Sequence, residues 1–469
     1  MRSVKGPIDP VMNQKQRYQA LLPVIFALAW PTMLEEAMQT AVQYIDTAMV
    51  GRLGTQATAA VGSTATVNWL VGTTIYAFGV GFLAFISQSI GAGETQRAKK
   101  AAAQSVLAVL VTGLFFTVLT VGLSRKVPVW MHVDPQIRDL TASYFAILYA
   151  PMLPRAASAI FGTVLRAAGD TRTPMRIGLG VNAMNVALNF LLIYPSRTIR
   201  LFGLSLPVWG ADLGVIGAAI ASAAAFIFGG VAITVALYRH KTISPKGFSL
   251  RPDPTVLRPC LKVALPNMLQ RFTTSLGFVV FASMINALGE TATAAHTIAN
   301  TVESAFYIPG FGMQSAAATL TGNAIGAGDR QRLKDLPRVL IVLEVSMMLL
   351  SGGLLFAFAP SMMGLFSRDP AVVGLGSRVL RMVALSEPVY GVSIILEGML
   401  QGAGETLRPF AFNTAGMWGV RIFGTFLCTR VLGLGLVAAW GCMIGHNLLL
   451  FTMFLCFYLS GRWNPLRAR

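Results

Sequence analysis

The feature that most limits how this chain can fold is a series of long apolar segments that contain almost no Lys or Arg. The first runs from about Leu21 to Val50 and contains neither residue. About 20 apolar residues in a helix cross the roughly 30 Å hydrocarbon core of a bilayer, so this segment is long enough to span it. Twelve such segments predict transmembrane helices near 21–50, 61–90, 101–123, 139–160, 176–194, 214–238, 262–288, 296–325, 338–359, 377–400, 410–430 and 435–459.

The composition agrees with an all-α polytopic membrane protein. Of the 469 residues, 54% are hydrophobic and only 12% are charged, whereas about a quarter of the residues of a soluble protein are charged. The first twenty residues lack the apolar core of a signal peptide and read as a cytoplasmic tail. The four cysteines have neither the pairing nor the spacing of a disulfide framework or metal site.

The distribution of positive charge predicts the orientation. If the N-terminus is inside the cell, 24 of the 37 Lys and Arg residues fall in inner segments and ten in outer loops. The positive-inside rule therefore predicts that both termini are cytoplasmic. The net charge of +18 is then mainly a signal of topology, with some attraction to anionic lipid. It does not indicate nucleic-acid binding, which would need a folded basic domain.

The two halves of the chain repeat each other at a spacing of 235 residues without a gap. Each half holds six spans, an even number, so both halves enter the membrane from the same side. This predicts two six-helix lobes related by a pseudo-twofold axis along the membrane normal, with a binding cavity between them near the midplane. The clearest matches are Pro31–Leu34 with Pro266–Leu269, Ile90–Gly93 with Ile325–Gly328, and Ala168–Thr171 with Ala403–Thr406.

The repeat also gives the predicted division of the chain. We expect a cytoplasmic tail over 1–20, an N-lobe of six spans over 21–238, a basic cytoplasmic linker over 239–261, a C-lobe of six spans over 262–459, and a second tail over 460–469.

No motif of an enzyme or a cofactor site is visible. The loops that contain Gly91-Ala92-Gly93 and Gly326-Ala327-Gly328 lack the Gly-Lys-Ser/Thr ending of a phosphate-binding loop. Helix C-caps explain them better, because glycine readily adopts the left-handed conformation that ends a helix. The four histidines are scattered. Any active transport by this chain would therefore draw on an ion gradient or on a separate partner.

Asp46 is a carboxylate within the first apolar segment. An ionised carboxylate inside a bilayer costs a few kcal/mol or more, so such residues usually face a protein interior or a wet cavity and serve an ion or substrate pathway. The alternative is that Asp46 lies close enough to the end of its helix to be solvated at the interface, since Gly51–Gly54 follows within about a turn.

Polar residues found in only one half are the candidates for function, since the shared Gly and Pro pairs set packing and turns. Asp46 has Phe281 as its repeat mate, and Asn185 and Asn189 have Val420 and Gly424. The two asparagines are four residues apart and share a helix face. With Asp46 they could surround a proton or Na⁺, or they could simply hydrogen-bond between helices.

Three further carboxylates are candidates. Glu35 is a second N-lobe candidate, eleven residues or about three helical turns from Asp46. Glu303 and Glu387 have Asn68 and Met152 as their mates, which makes them candidates for the substrate cavity or for coupling in the C-lobe.

The chain resembles the multidrug and toxic compound extrusion (MATE) family. The resemblance covers the two six-span halves, Asp46-Thr47 followed by Met49–Gly54, the Gly-Ala-Gly loops, and Ala168–Thr171 with its repeat mate. It implies antiport of a small, often cationic and amphipathic molecule against H⁺ or Na⁺, with no other cofactor, by a monomer in the bacterial cytoplasmic membrane. Asp46 matches the acid that the family carries on its first span. Asn185 matches the asparagine that accompanies this acid on span five, and Asn189 matches the residue that NorM-like members have at this position.

The C-lobe departs from the NorM pattern. Members of that branch carry a seventh-span acid where this chain has Thr273-Thr274, and a tenth-span acid near Tyr390, which is not acidic. Segment 303–312 is similar to the DinF-like branch instead. We therefore expect Asp46 to couple transport by alternating access, with Tyr390 lining the substrate cavity or a C-lobe site. A flippase for a lipid-linked precursor and a membrane receptor or scaffold are the alternatives.

Overall fold

The computed structural model describes residues 13–131, 133–201 and 204–467, so most of the predicted N-terminal tail and the end of the C-terminal tail lie outside the described residues. Helices make up nearly all of the fold. The elements are α1 (Gln14–Gly51), α2 (Thr55–Gly91), α3 (Thr95–Leu123), α4 (Val127–Trp130), α5 (Arg138–Tyr149), α6 (Met152–Ala167), α7 (Arg172–Leu192), β1 (Pro195–Leu201), β2 (Leu204–Ala211), α8 (Gly214–Arg239), α9 (Pro254–Asn286), α10 (Glu290–Phe306), α11 (Ile308–Gly326), α12 (Arg330–Phe366), α13 (Pro370–Ala384), α14 (Glu387–Ala403), α15 (Leu407–Thr414), α16 (Phe423–Phe426) and α17 (Leu436–Ser460).

Within the described residues, ten of the twelve predicted spans are helices or bent helix pairs that are long and apolar enough to cross a membrane. Eight single helices are long and apolar enough to cross a membrane: α1, α2, α3, α7, α8, α9, α12 and α17. Two more spans are bent pairs, α5 with α6 at 48° and α13 with α14 at 54°. The last two are α10 with α11 and the segment from α15 to Val431. The predicted fold class is confirmed, although several helices extend beyond the predicted spans.

The internal repeat is visible in the backbone. Glycines with positive φ recur 235 residues apart with nearly the same angle: Gly54 and Gly289 at 107° and 105°, Gly93 and Gly328 at 77° and 68°, and Gly169 and Gly404 both at 82°. At Gly93 the helix ends in a Schellman motif, in which the Glu94 N–H donates to the carbonyl of Ser89. The prediction that the Gly-Ala-Gly loops are C-caps is confirmed.

The two halves differ where the C-lobe loses regular helix. Span eight breaks at Tyr307, which precedes Pro309, whereas its counterpart α2 is continuous. Span eleven contains π-helical turns over Ala415–Ile422 and Leu427–Val431, whereas α7 is regular. Breaks and π-turns of this kind are often found near functional sites.

One connection is not helical. Strands β1 and β2 form an antiparallel hairpin between α7 and α8, with Pro195 opposite Ala211 and an irregularity near Arg197. The all-α prediction therefore holds for the spans but missed this hairpin.

Helix α1 packs against both lobes. Its first half contributes Leu21, Ile25 and Leu28 to a buried cluster that also contains Leu336 and Phe454 of the C-lobe. Its second half lies along the N-lobe, where the Tyr194 hydroxyl donates to the carbonyl of Met49 at 2.8 Å. The first span thus connects the two lobes.

The lobes touch closely at the end where the linker between α8 and α9 lies. A Cβ atom added to Gly91 would lie 2.1 Å from the carbonyl oxygen of Asn323, and one added to Gly326 would lie 1.9 Å from that of Gln88. These two contacts are repeat mates, so α2 and α11 cross symmetrically at their C-terminal ends. Only glycine permits such an approach of two backbones.

Candidate functional site

The N-lobe brings three of the predicted residues together. The Asn189 amide nitrogen donates to Asp46 Oδ1 at 2.7 Å and to Asn185 Oδ1 at 3.2 Å. Both asparagines are buried. The Asn185 amide atom that faces Asp46 lies 2.9 and 3.0 Å from its two carboxylate oxygens. Asp46 thus lies in a hydrogen-bonded cluster between α1 and α7 rather than in open solvent.

Local sequence explains this cluster. Because Asn185 and Asn189 are one helical turn apart on α7, both project toward α1. The far side of the Asn185 amide lies 3.0 Å from the Ser222 hydroxyl on α8, which ties a third helix to the site. The prediction that Asn185 and Asn189 accompany Asp46 is therefore matched by their positions.

Glu35 does not join this cluster. Its carboxylate accepts from the guanidinium of Arg166 on α6 at 3.3 Å, and Arg166 is only 7% exposed. An opposite charge on a neighbouring helix thus already balances Glu35. The eleven residues that separate it from Asp46 place the two carboxylates at different levels of α1.

The C-lobe buries three glutamates: Glu303 on α10, Glu344 on α12 and Glu387 on α14. The Tyr307 hydroxyl donates to Glu303 at 2.7 Å, and the Tyr307 ring packs edge-on against Tyr390 with centroids 5.4 Å apart. Glu303 and Tyr390 thus both contact Tyr307, and Glu387 lies about one turn from Tyr390 at the start of α14. Their role in the substrate cavity or in coupling stays a prediction.

Sequence reasoning did not select Glu344 as a candidate. It is fully buried and has no hydrogen-bond partner for either carboxylate oxygen among the described residues. The same signal that selected Glu303 could have found it, since its repeat mate is the apolar Val109. It packs against two glycines on neighbouring helices, Gly310 and Gly391, which leave room for the carboxylate.

The three buried glutamates of the C-lobe are not held in ion pairs. Within the described residues, none of the three glutamates has a Lys or Arg nitrogen within 4.0 Å. The buried Arg421 instead lies over the rings of Phe278 and Phe281, at 5.0 and 4.8 Å. No group of three His, Cys, Asp or Glu side chains in the described part of the chain could hold a metal ion.

Two lobes of six spans, with carboxylates held between the helices of each, define a membrane transporter rather than an enzyme. A family model described as MatE matches residues 31–191 and 266–427, and the chain therefore belongs to the MATE family of multidrug efflux transporters. The two matched ranges start 235 residues apart, so the family model recognises each half of the repeat separately.

Curated relatives match along nearly the whole chain. A probable multidrug resistance protein NorM of Thermotoga maritima is 26% identical and is matched over 96% of this chain and 95% of its own length. The probable multidrug resistance protein YoeA of Bacillus subtilis is 24% identical over 92% of each chain.

Solved structures share the fold. An outward-facing multidrug resistance MATE family transporter of the MOP superfamily superposes with a TM-score of 0.86 at 22% identity, covering 99% of this chain and 98% of its own. A MOP superfamily transporter from Pyrococcus furiosus, described as having a binding pocket of reverse polarity, gives the same TM-score, identity and coverage.

Proposed function

We propose that this protein exports small cationic or amphipathic molecules across the bacterial cytoplasmic membrane in exchange for protons, with Asp46 as the coupling residue. The observation that carries the proposal is the cluster of the half-buried Asp46 with the buried Asn185 and Asn189, in which a carboxylate of a membrane-spanning helix has polar partners but no cation among the described residues. The names of the relatives, which are multidrug resistance proteins, support the substrate class.

The polar partners of Asp46 support a proton rather than Na⁺ as the exchanged ion. The Asn189 nitrogen donates to Asp46 Oδ1 at 2.7 Å, and the Asn185 amide lies 2.9 and 3.0 Å from the two carboxylate oxygens. A side-chain amide has both donors and an acceptor, so it can hydrogen-bond a carboxylate or a protonated carboxyl group. A sodium ion would instead need several oxygen ligands, whereas Asn189 directs its nitrogen at Asp46.

Exchange follows from competition for this negative charge. A proton that neutralises Asp46 removes the attraction for a cationic substrate, and loss of the proton restores it. Each positive charge that moves inward draws about 2.3 kcal/mol from a membrane potential of 100 mV. One proton per cycle can therefore maintain a useful gradient of substrate.

We further propose that both termini are cytoplasmic, as the charge distribution predicts. The close crossing of α2 and α11 near the linker then closes the cytoplasmic side, which corresponds to an outward-facing state. Rocking of the lobes about the central cleft would separate Gly91 from Asn323 and Gly326 from Gln88.

A lipid-precursor flippase is the second candidate, and the placement of arginine disfavours it. A pyrophosphate group needs several free cations in the cavity. Of the arginines within the spans, Arg155 lies 4.8 Å over Phe226, Arg271 lies 4.9 Å over Tyr76, and Arg421 lies over Phe278. Aromatic rings therefore cover cations that a pyrophosphate would need.

The test is uptake of a panel of labelled cations into proteoliposomes, with pH and Na⁺ gradients imposed separately. We expect a pH gradient alone to drive transport and Asp46→Asn to abolish it, because the substitution removes the charge but keeps the volume. Transport driven only by a Na⁺ gradient would overturn proton coupling. Full gradient-driven transport by a well-expressed Asp46→Asn variant would overturn the role of Asp46.

A further inference from the structure

We propose that the seam between α3 and α9 is a binding site for one anionic phospholipid that bridges the two lobes on the linker side of the membrane. The seam holds a groove of about 170 Å³. Its walls come from both halves of the chain: Phe78 and Phe82 of α2, Leu107 and Val111 of α3, and Leu257 and Leu261 of α9.

The groove suits an alkyl chain. Its lining is apolar apart from Thr112, and Val111 and Leu261 at its rim are exposed in the protein alone. Its floor lies where the lobes touch, since a Cβ atom added to Gly81 would lie 2.3 Å from the carbonyl oxygen of Cys260. A chain held here contacts both lobes at once.

The corresponding seam on the other side of the pseudo-twofold axis is lined differently. The repeat mates of α3 and α9 are α12 and α1. Ile25 stands where the groove has Cys260, Leu343 where it has Ala108, and Met347 where it has Thr112. The small side chains at these three positions of the groove therefore have larger counterparts in the other seam.

The charge beside the groove selects the headgroup. Arg258 and Lys262 are exposed on α9, one turn apart, on either side of Leu261. Neither forms an ion pair with a described residue. The nearby Asp253 is already paired with Lys100, which lowers the pKa of Asp253 to about 2. Two free cations beside an apolar groove match a phosphate attached to an acyl chain.

The test compares lipids bound to the purified full-length protein by native mass spectrometry. We expect one phosphatidylglycerol to bind about thirtyfold more tightly than phosphatidylcholine, because two cations attract its anionic headgroup. Glycerol 3-phosphate, which has the phosphate without the chains, should not compete. Equal retention of the two lipids, or full competition by glycerol 3-phosphate, would overturn the proposal.

Variants separate the headgroup from the chain. Arg258→Gln with Lys262→Gln should remove the preference for phosphatidylglycerol, and Ala108→Phe should reduce binding of both lipids by filling the groove. The matched control is Arg330→Gln with Lys334→Gln, which removes two exposed cations of α12 at the corresponding end of the other lobe. An equal loss in the control pair, or unchanged binding in Ala108→Phe, would contradict the site.

Discussion

The two lobes have the same fold but surround their acids differently. In the N-lobe the half-buried Asp46 is held by the amides of Asn185 and Asn189. In the C-lobe three glutamates are buried, and among the described residues only Glu303 has a hydrogen-bond partner for its carboxylate, the Tyr307 hydroxyl at 2.7 Å. A duplicated scaffold has therefore kept its helix ends and glycines while its interior polar residues have become specialised.

This difference suggests that the two lobes have different roles in transport. An acid with amides that can hydrogen-bond both its charged and its neutral form is suited to repeated protonation. An acid such as Glu344, with no hydrogen-bond partner for either oxygen among the described residues, lacks such groups. We expect the N-lobe to couple transport and the C-lobe to shape the cavity.

The largest effect is expected when the key acid of each lobe is neutralised. Asp46→Asn should abolish gradient-driven uptake, whereas Glu303→Gln should alter substrate affinity and still allow a proton gradient to drive uphill transport. The measurement is counterflow and gradient-driven uptake side by side in vesicles. If Glu303→Gln loses gradient-driven uptake but retains counterflow, then both lobes couple transport to the gradient.

The second prediction uses the symmetric crossing of α2 and α11, where the lobes should behave alike. Gly91→Ala and Gly326→Ala each place a methyl group about 2 Å from a backbone carbonyl, so either should prevent closure at the linker end. Transport should fall severalfold or more.

The matched control is Gly62→Ala on the same helix α2, where no atom lies within 4 Å of the added carbon. Spin labels at Ala92 and Ala327, which are repeat mates, should report a longer distance in both variants and an unchanged one in the control. An unchanged distance in Gly91→Ala and Gly326→Ala would mean that this crossing is not a gate.

The third prediction tests whether the asparagines serve coupling or packing. Replacing Asn185 and Asn189 with Leu should weaken gradient-driven uptake more than enlarging their mates Val420 and Gly424 does, because only the first pair contacts a carboxylate. Initial rates at matched expression make the comparison. Equal losses in the two double variants would favour a packing role.

The smallest effects concern two ion pairs, one between α1 and α12 and one between α3 and the segment that precedes α9. Arg17 pairs with Asp335 at 2.8 Å, and Asp335 is 1% exposed. Lys100, the repeat mate of Asp335, pairs with the more exposed Asp253. Asp335→Asn should destabilise the protein by about 3 kcal/mol, because it leaves a largely buried arginine without this partner. Asp253→Asn should change stability little, because solvent screens that pair.

Thermal unfolding near neutral pH compares the two variants. Because the pKa of Asp253 is lowered to about 2, its pair contributes fully above its unfolded pKa of about 3.9 and is lost only as the pH falls toward 2. A strong pH dependence of the difference between wild type and Asp253→Asn from pH 5 to 8 would contradict this assignment.

The sequence by itself determined the fold class, the twelve predicted spans and the repeat, because the lengths of the apolar segments and the positions of the glycines are local properties of the chain. The thickness of the bilayer then fixes how long an apolar segment must be to cross it. It also selected Asp46, Asn185, Asn189, Glu303 and Glu387, since an acid or amide present in only one half stands out against its mate. Only the tertiary structure paired Glu35 with Arg166, brought Glu344 to the side of Gly310, and joined the first half of α1 to the C-lobe. These contacts join residues far apart in the chain, and their existence depends on how helices pack rather than on any pattern along one helix.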